Sequence, residues 1–291
     1  MLLLEEEMRE LHWRVLNLPT QAERFEANLL LMERLDEALR QDPLCKYPFD
    51  SLNRISILMS SDRQFRIFTW YVPHQDGTFT YYGVIQSWNP RHKRYHTHWL
   101  EDCSDETEQI EEALLSAENW FGALYYEIIP LKSRGRTYYT LLGWDGNHPQ
   151  VNRKLIEVLH FKGGDSPAFG HYLFRGMPGR QRRILFEYAG RASMTLRYDT
   201  QAFIRKERKR NRRVVEKEVF RPMIVFDRLA PLNPSLEGNP AFLVPEGHIQ
   251  DAFVEENGRW QLIRDVDARN QPQDKKARPP APPQQGLFPP N

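Results

Sequence analysis

The stretch Gly143-Trp144-Asp145-Gly146-Asn147-His148 gathers an indole, a carboxylate, an amide and an imidazole at the end of a strand-like run. Oxygen-bearing loops of this kind hold Ca²⁺, but the Asp-x-Asp-x-Asp-Gly ladder of an EF-hand is missing. Trp offers a flat apolar face suited to sugars or cations, and Asp and Asn add directional polar contacts. If the chain has a ligand site, Trp144, Asp145, Asn147 and His148 are expected to line part of it. The plainer reading carries more weight. Asp and Gly are ordinary turn formers, and a buried Trp144 capped by the turn fits the same letters.

Three further constellations could do chemistry. His96 and His98, in His96-Thr97-His98, share one face if the segment is a strand. With Glu101, Asp102 and Cys103 beyond them they could bind a transition metal, although His92, Lys93 and Arg94 add opposing charge. A polar outer strand face is the simpler account. The run Arg205-Lys206-Glu207-Arg208-Lys209-Arg210-Asn211-Arg212-Arg213 is the densest charge cluster. It could grip phosphates, but it lacks an interleaved aromatic on which bases stack, so a solvated connection is expected. Asp145, Glu187, Asp199, Asp227 and Asp251 fall at strand ends, and two carboxylates roughly 5–10 Å apart can hydrolyse glycosides. The chain has no Gly-x-Ser-x-Gly elbow and no Gly-x-x-x-x-Gly-Lys phosphate loop. No motif specifies a cofactor. Cys45 and Cys103 lack a metal-ligand spacing, and two free thiols are the economical reading.

These residues must be positioned by two kinds of element. Leu4, Met8, Leu11, Val15 and Leu18 recur at helical spacing, as do Phe25, Leu29, Met32, Leu35 and Leu39. Thr20 and Glu23 between the two stripes have capping-box spacing. The spacing predicts a helical hairpin over residues 2–41, docked on a sheet. From Ile55 onward, runs rich in Val, Ile, Tyr, Phe and Trp alternate with turn clusters, and Asn257-Gly258 is the strongest hairpin signal. A short helix is expected at Asp105–Ala117. The connections are too short for many parallel crossovers. The fold class is therefore mainly β, with antiparallel, meander-rich sheets arranged as a sandwich, barrel or propeller-like array behind an N-terminal helical hairpin. The domain reading is 1–45 helical, 46–268 antiparallel β, and 269–291 a Pro-rich disordered tail.

Tyr47-Pro48-Phe49-Asp50-Ser51-Leu52, Leu142-Gly143-Trp144-Asp145-Gly146-Asn147, Phe186-Glu187-Tyr188, Met194-Thr195-Leu196-Arg197-Tyr198-Asp199 and Ile224-Val225-Phe226-Asp227-Arg228-Leu229-Ala230-Pro231 occur in that order. Over residues 45–266 the chain resembles a family of bacterial proteins of unknown function, many with an export leader. The resemblance implies an extracytoplasmic location and brings no activity, cofactor or site residue. The sequence itself starts Met1-Leu2-Leu3-Leu4-Glu5-Glu6-Glu7, which lacks the apolar core of a signal peptide.

Composition narrows the classes. The 291 residues carry a net charge of +1, so no global field draws the chain to nucleic acid or anionic membrane. No apolar run reaches the length of a membrane-spanning helix. The leading expectation is a noncatalytic binding or structural protein, with a protein or carbohydrate ligand. The alternative is a carboxylate-dependent hydrolase with a cleft near the Asp145 loop.

Overall fold

The computed structural model describes residues 1–104, 109–208 and 214–266. Two helices come first, α1 (Leu2–Asn17) and α2 (Gln21–Gln41). The expected capping box opens α2: Thr20 Oγ1 accepts from the Glu23 amide at 3.3 Å, and Glu23 Oε2 accepts from the Thr20 amide at 3.1 Å. Each bond satisfies a backbone donor that the helix start leaves free.

The rest is three sheets. The first runs β1 (Ser56–Met59), β2 (Phe65–Pro73), β3 (Phe79–Asn89) and β4 (Arg94–Leu100), each paired antiparallel with the next. The second contains β5 (Leu115–Ser116), β6 (Leu124–Ser133), β7 (Arg136–His148), β8 (Val151–Lys162) and β9 (Ser166–Phe169), in the order β5-β9-β8-β7-β6. The short β10 (Phe174–Arg175) belongs to the third sheet, and β11 (Ile184–Ala189) returns to pair with β8. The third sheet is completed by β12 (Leu196–Arg208), β13 (Val214–Pro231), β14 (Leu243–Glu256) and β15 (Arg259–Val266), ordered β10-β15-β14-β13-β12. Only β10 and β15 pair in parallel among the named strands. The architecture is mainly antiparallel β behind a two-helix hairpin, and the sheets do not close into a barrel.

The layers follow from strand alternation. On β2, Phe68, Trp70 and Val72 pack under the helices against Met8, Val15, Leu31 and Leu35. Phe65, Ile67 and Tyr71 pack on the other face, against Leu141, Leu155 and Phe169 of the second sheet. On β7, Leu141 faces the first sheet while its neighbour Leu142 faces the third, among Ile224, Phe226, Phe253 and Trp260. A strand buried on both faces reads as one long apolar run, because period-2 alternation no longer separates core from solvent. Polar bonds tie the layers together. Trp70 Nε1 donates to Asn28 Oδ1 at 2.7 Å, linking sheet to hairpin. Trp260 Nε1 donates to Thr140 Oγ1 at 2.8 Å, linking the third sheet to the second.

Asp105–Ala117 is not the expected short helix. Residues 105–108 lie outside the described residues, and beyond them come turns, then β5 and a 3₁₀ turn at Ala117–Asn119. The backbone carbonyls there are engaged elsewhere: those of Ile110 and Ala113 accept from Arg183, and that of Glu111 accepts from the Arg182 amide. Carbonyls held by a neighbouring strand are not free for i→i+4 bonding. The proposed tail after residue 268 and the middle of the basic run, 209–213, lie outside the described residues. Arg205–Arg208 continue β12. Among the described residues no helix is long and apolar enough to cross a membrane.

Candidate functional site: an arginine face at the ends of the second and third sheets

Two tight turns build the site. β6 and β7 join through Arg134-Gly135, both at positive φ (48° and 77°), with Ser133 opposite Arg136. β14 and β15 join through Asn257-Gly258 (52° and 72°), with Glu256 opposite Arg259. Two-residue loops with both φ positive match the strand twist, which is why Gly occupies the second position. The second turn packs on the end of β6: a Cβ on Gly258 would lie 2.6 Å from the Lys132 carbonyl oxygen and 2.9 Å from the Ser133 Cα. That close approach sets Arg259 beside Arg134. Residues 170–183 then wrap the same end, held by the Trp260 amide donating to the Leu173 carbonyl at 2.9 Å.

The result is a cationic face. Arg134, Arg136, Arg175 and Arg180 are exposed, and Arg182 and Arg259 are half-buried. None of the six has a carboxylate at ion-pair distance among the described residues. Burial, and after it the nearby Arg175, Arg134 and Arg180, lowers the pKa of Arg259. Aromatic rings order the cluster. The guanidinium carbons of Arg180 and Arg182 sit 4.3 and 4.1 Å from the Tyr172 ring centroid, a cation–π geometry that fixes the guanidinium plane. Arg182 Nε donates to the Glu112 carbonyl at 2.9 Å, leaving its two terminal nitrogens as the open fork. Nearby, His171 stacks on Tyr138 with centroids 4.5 Å apart, and His160 lies 5.5 Å from His171. Burial first, then each other and the surrounding arginines, hold both imidazoles below their ordinary pKa, His160 at about 4.

The residues singled out from the sequence are placed differently. Trp144 and Asp145 are buried on β7, Asn147 is half-buried, and His148 is exposed. Trp144 packs edge-on to Phe79, with centroids 5.9 Å apart. Asp145 accepts from the Asn147 amide at 2.7 Å and lies 3.5 Å from Arg153. Tyr81 donates to Asp145, and its hydroxyl accepts from the Gly146 amide at 2.7 Å. Burial nevertheless raises Asp145 to about 6. His148 Nδ1 accepts from the Gln150 amide at 3.2 Å. The structure thus brings the four together as a bulged strand end, with Trp144 and Asp145 turned inward and His148 exposed.

Of the five strand-end carboxylates, Asp145 and Glu187 share a partner: Arg153 Nε donates to Glu187 at 2.9 Å. Glu187 and Arg153 line a cleft of about 440 Å³ with Glu111, Glu112 and Leu185. Burial raises Glu111 above the usual carboxylate range, and Glu187 and Glu112 add to the effect. Asp227 accepts from the Thr195 amide and from Gln250, Asp251 pairs with Arg228, and Asp199 lies 3.5 Å from Arg197.

Of the His-x-His pair, His96 is engaged, while His98 Nε2 is buried without a hydrogen-bond partner. His96 Nδ1 lies 2.6 Å from Asp165 Oδ2, and its Nε2 lies 3.0 Å from His92 Nδ1. Asp102 is occupied by the amides of Tyr81 and Gly122. Among the described residues no group of three or more His, Cys, Asp or Glu side chains is arranged to hold a metal ion. Cys45 and Cys103 are not joined in a disulfide; Cys45 is buried with its Sγ 3.2 Å from Gln86 Oε1, and Cys103 Sγ lies 3.8 Å from the Glu118 carbonyl oxygen.

The arginine face was not singled out from the sequence, because its members are spread from residue 134 to residue 259. The usable signal was a pair of Arg-x-Arg steps, Arg134/Arg136 and Arg180/Arg182, each beside a Gly turn. No protein-family model matches the chain, and comparison with the curated proteins and with the solved structures likewise gives no match.

Proposed function

We propose that the protein is a noncatalytic binding protein whose arginine face takes an anionic ligand. One observation carries this reading: six arginines converge on one end of the sheets, and none has a carboxylate partner among the described residues. Like charges held together oppose folding and are ordinarily relieved by interspersed acids. A face that keeps them unpaired, with two guanidinium planes fixed on Tyr172, is preorganised for bidentate oxyanion recognition. The triple variant Arg134→Gln/Arg136→Gln/Arg259→Gln tests it. Charge-assisted bonds contribute about 1.5–3 kcal/mol each. Affinity for a polysulfated sugar or pyrophosphate, measured by calorimetry, should therefore fall more than tenfold in the variant and weaken with salt in the parent. Equal affinity in parent and variant refutes the reading.

The cleft beside Arg153 favours a second reading, a carboxylate-dependent hydrolase. Burial pushes Glu111 toward the protonated form, and Glu187, ion-paired with Arg153, lies in the same cleft; a raised carboxyl beside a second one suits a general acid. Turnover of a glycoside panel that Glu111→Gln and Glu187→Gln each abolish, with folding intact, would support it. Turnover that survives both substitutions removes it.

A further inference from the structure

His160 and His171 sit inside the arginine face and have no role in folding that their hydrogen bonds reveal. His160 Nδ1 is buried and has no hydrogen-bond partner, an unsatisfied site of the kind a native fold rarely leaves. The groups around the two rings are cationic or neutral. Arg182, Arg259, Arg134 and Arg136 act on His171 from the wrapping segment, the start of β15 and the β6–β7 turn. His171, Lys162, Arg182 and Arg136 act on His160. Tyr138 contributes its ring to both. Burial leads in lowering both pKa values and no carboxylate is among the charged influences, so in the free protein both imidazoles stay neutral near pH 7.

We propose that the arginine face takes a multiply charged oxyanion of the phosphate or sulfate ester class, and that His171 and His160 take up protons as it binds. The proposal rests on the anion-binding reading above and adds its ligand class and its pH response. The class follows from the donors. Open guanidinium forks match tetrahedral oxyanions in pairs. The rings that could stack a base are already covered: Arg180 and Arg182 lie over Tyr172, and His171 lies over Tyr138. A ligand read through its bases would need such a ring free. The proton uptake follows from Coulomb's law. Burial, the leading cause of the lowered pKa values, persists in the complex, but an anion among the arginines cancels their share of the effect and offers the buried Nδ1–H of His160 an acceptor, so the charged imidazole is favoured relative to the free protein. The sign is fixed by linkage: a group whose pKa rises on binding makes binding tighter as pH falls. If His160 rises from about 4 by about two pH units, stopping short of its ordinary value because it stays buried, affinity at pH 5 exceeds that at pH 7 by about tenfold.

The test is calorimetry of the full chain with sucrose octasulfate, whose charge does not titrate in this range, at pH 5 to 8 in buffers of differing ionisation enthalpy. The expected result is net proton uptake near pH 6 and about tenfold tighter binding at pH 5 than at pH 7. His160→Asn/His171→Asn should remove the pH dependence. Imidazole Cε1 proton shifts of the parent, with and without the sugar, read the same protonation without a variant. Binding without proton uptake, or a pH dependence that survives in the double variant, overturns this inference and leaves the anion-binding reading standing. No binding of the octasulfate or of pyrophosphate at any pH overturns both. Single-stranded DNA of matched charge binding tenfold tighter than the sugar overturns the ligand class.

Discussion

Arg182 and Arg183 are adjacent in sequence and opposite in circumstance. Arg183 is fully buried, with Nε on Glu157 at 2.8 Å and Nη1 and Nη2 on the carbonyls of Ile110, Ala113 and Phe169. Arg182 lies over Tyr172 and uses one nitrogen, toward a single carbonyl. The same contrast separates two regions. Around Asp145 the strand end is polar but closed: Asp145 is buried and held by the Asn147 amide, Tyr81 and Arg153. Around Tyr172 it is polar and open. Residue type alone marks both as chemistry; what differs is how many bonds folding has already used.

The comparison breaks most readily at Arg183. Truncating one partner of a buried ion pair leaves the other charge stranded, at a cost of about 3–5 kcal/mol. Arg183→Met should destabilise the chain by that amount in urea unfolding, releasing the carbonyls that order residues 110–113 as well. Arg182→Gln should change stability by no more than about 0.5 kcal/mol, as for a surface substitution. Similar losses at both positions would erase the distinction between closed and open regions.

Asp145 gives the next effect, through pH. Its folded pKa, about 6, lies above the unfolded value of 3.8. A carboxyl raised in the folded state contributes stability that is full below the unfolded pKa and is lost as pH rises through the folded one. The stability gap between the parent and Asp145→Asn should therefore be larger at pH 4 than at pH 7, by up to about 3 kcal/mol. A gap that grows toward neutral pH instead would mean that Arg153 outweighs burial. Gly146 sharpens the same point sterically. A Cβ there would lie 2.4 Å from the Phe79 ring and 2.9 Å from that of Trp144. Gly146→Ala should cost about 1–3 kcal/mol. A neutral effect would show that this strand end has room to spare.

The sequence made the architecture legible where local rules operate alone. Thr20 and Glu23 announced the start of α2, and Asn257-Gly258 announced the β14–β15 hairpin, because caps and tight turns are set within four residues. The short helix at 105–117 was misread because the Arg183 side chain, some 70 residues away, engages the carbonyls that helix would use. Sheet stacking was hidden for a related reason: on β7, Leu141 and Leu142 face different cores, so both neighbours are apolar and the alternation is masked. For the site, clustering along the chain was a poor guide to clustering in space. Trp144-Asp145-Asn147-His148 is dense in sequence and is spent on packing and turn bonds. The arginines of the open face come from the β6–β7 turn, the start of β7, β10, the wrapping segment and the start of β15, and meet because Gly258 lets two turns touch.

The smallest effect concerns the stability of the arginine face itself. Six cations without acidic partners among the described residues repel one another, and half-burial of Arg259 weakens the screening. Salt shortens the reach of exposed charges, to about 10 Å at 0.1 M and about 3 Å at 1 M. The parent should therefore gain stability, by a few tenths of a kcal/mol, between low salt and 0.5 M sodium chloride, an effect small enough to need paired urea titrations. Arg134→Gln/Arg136→Gln should reproduce part of that gain at low salt and then respond less to added salt. Because both positions are exposed at a turn with no ion pair to lose, the variant has little else to change. A variant less stable than the parent at low salt would show that these guanidinium groups support the fold after all, and the open region would then belong with the closed one.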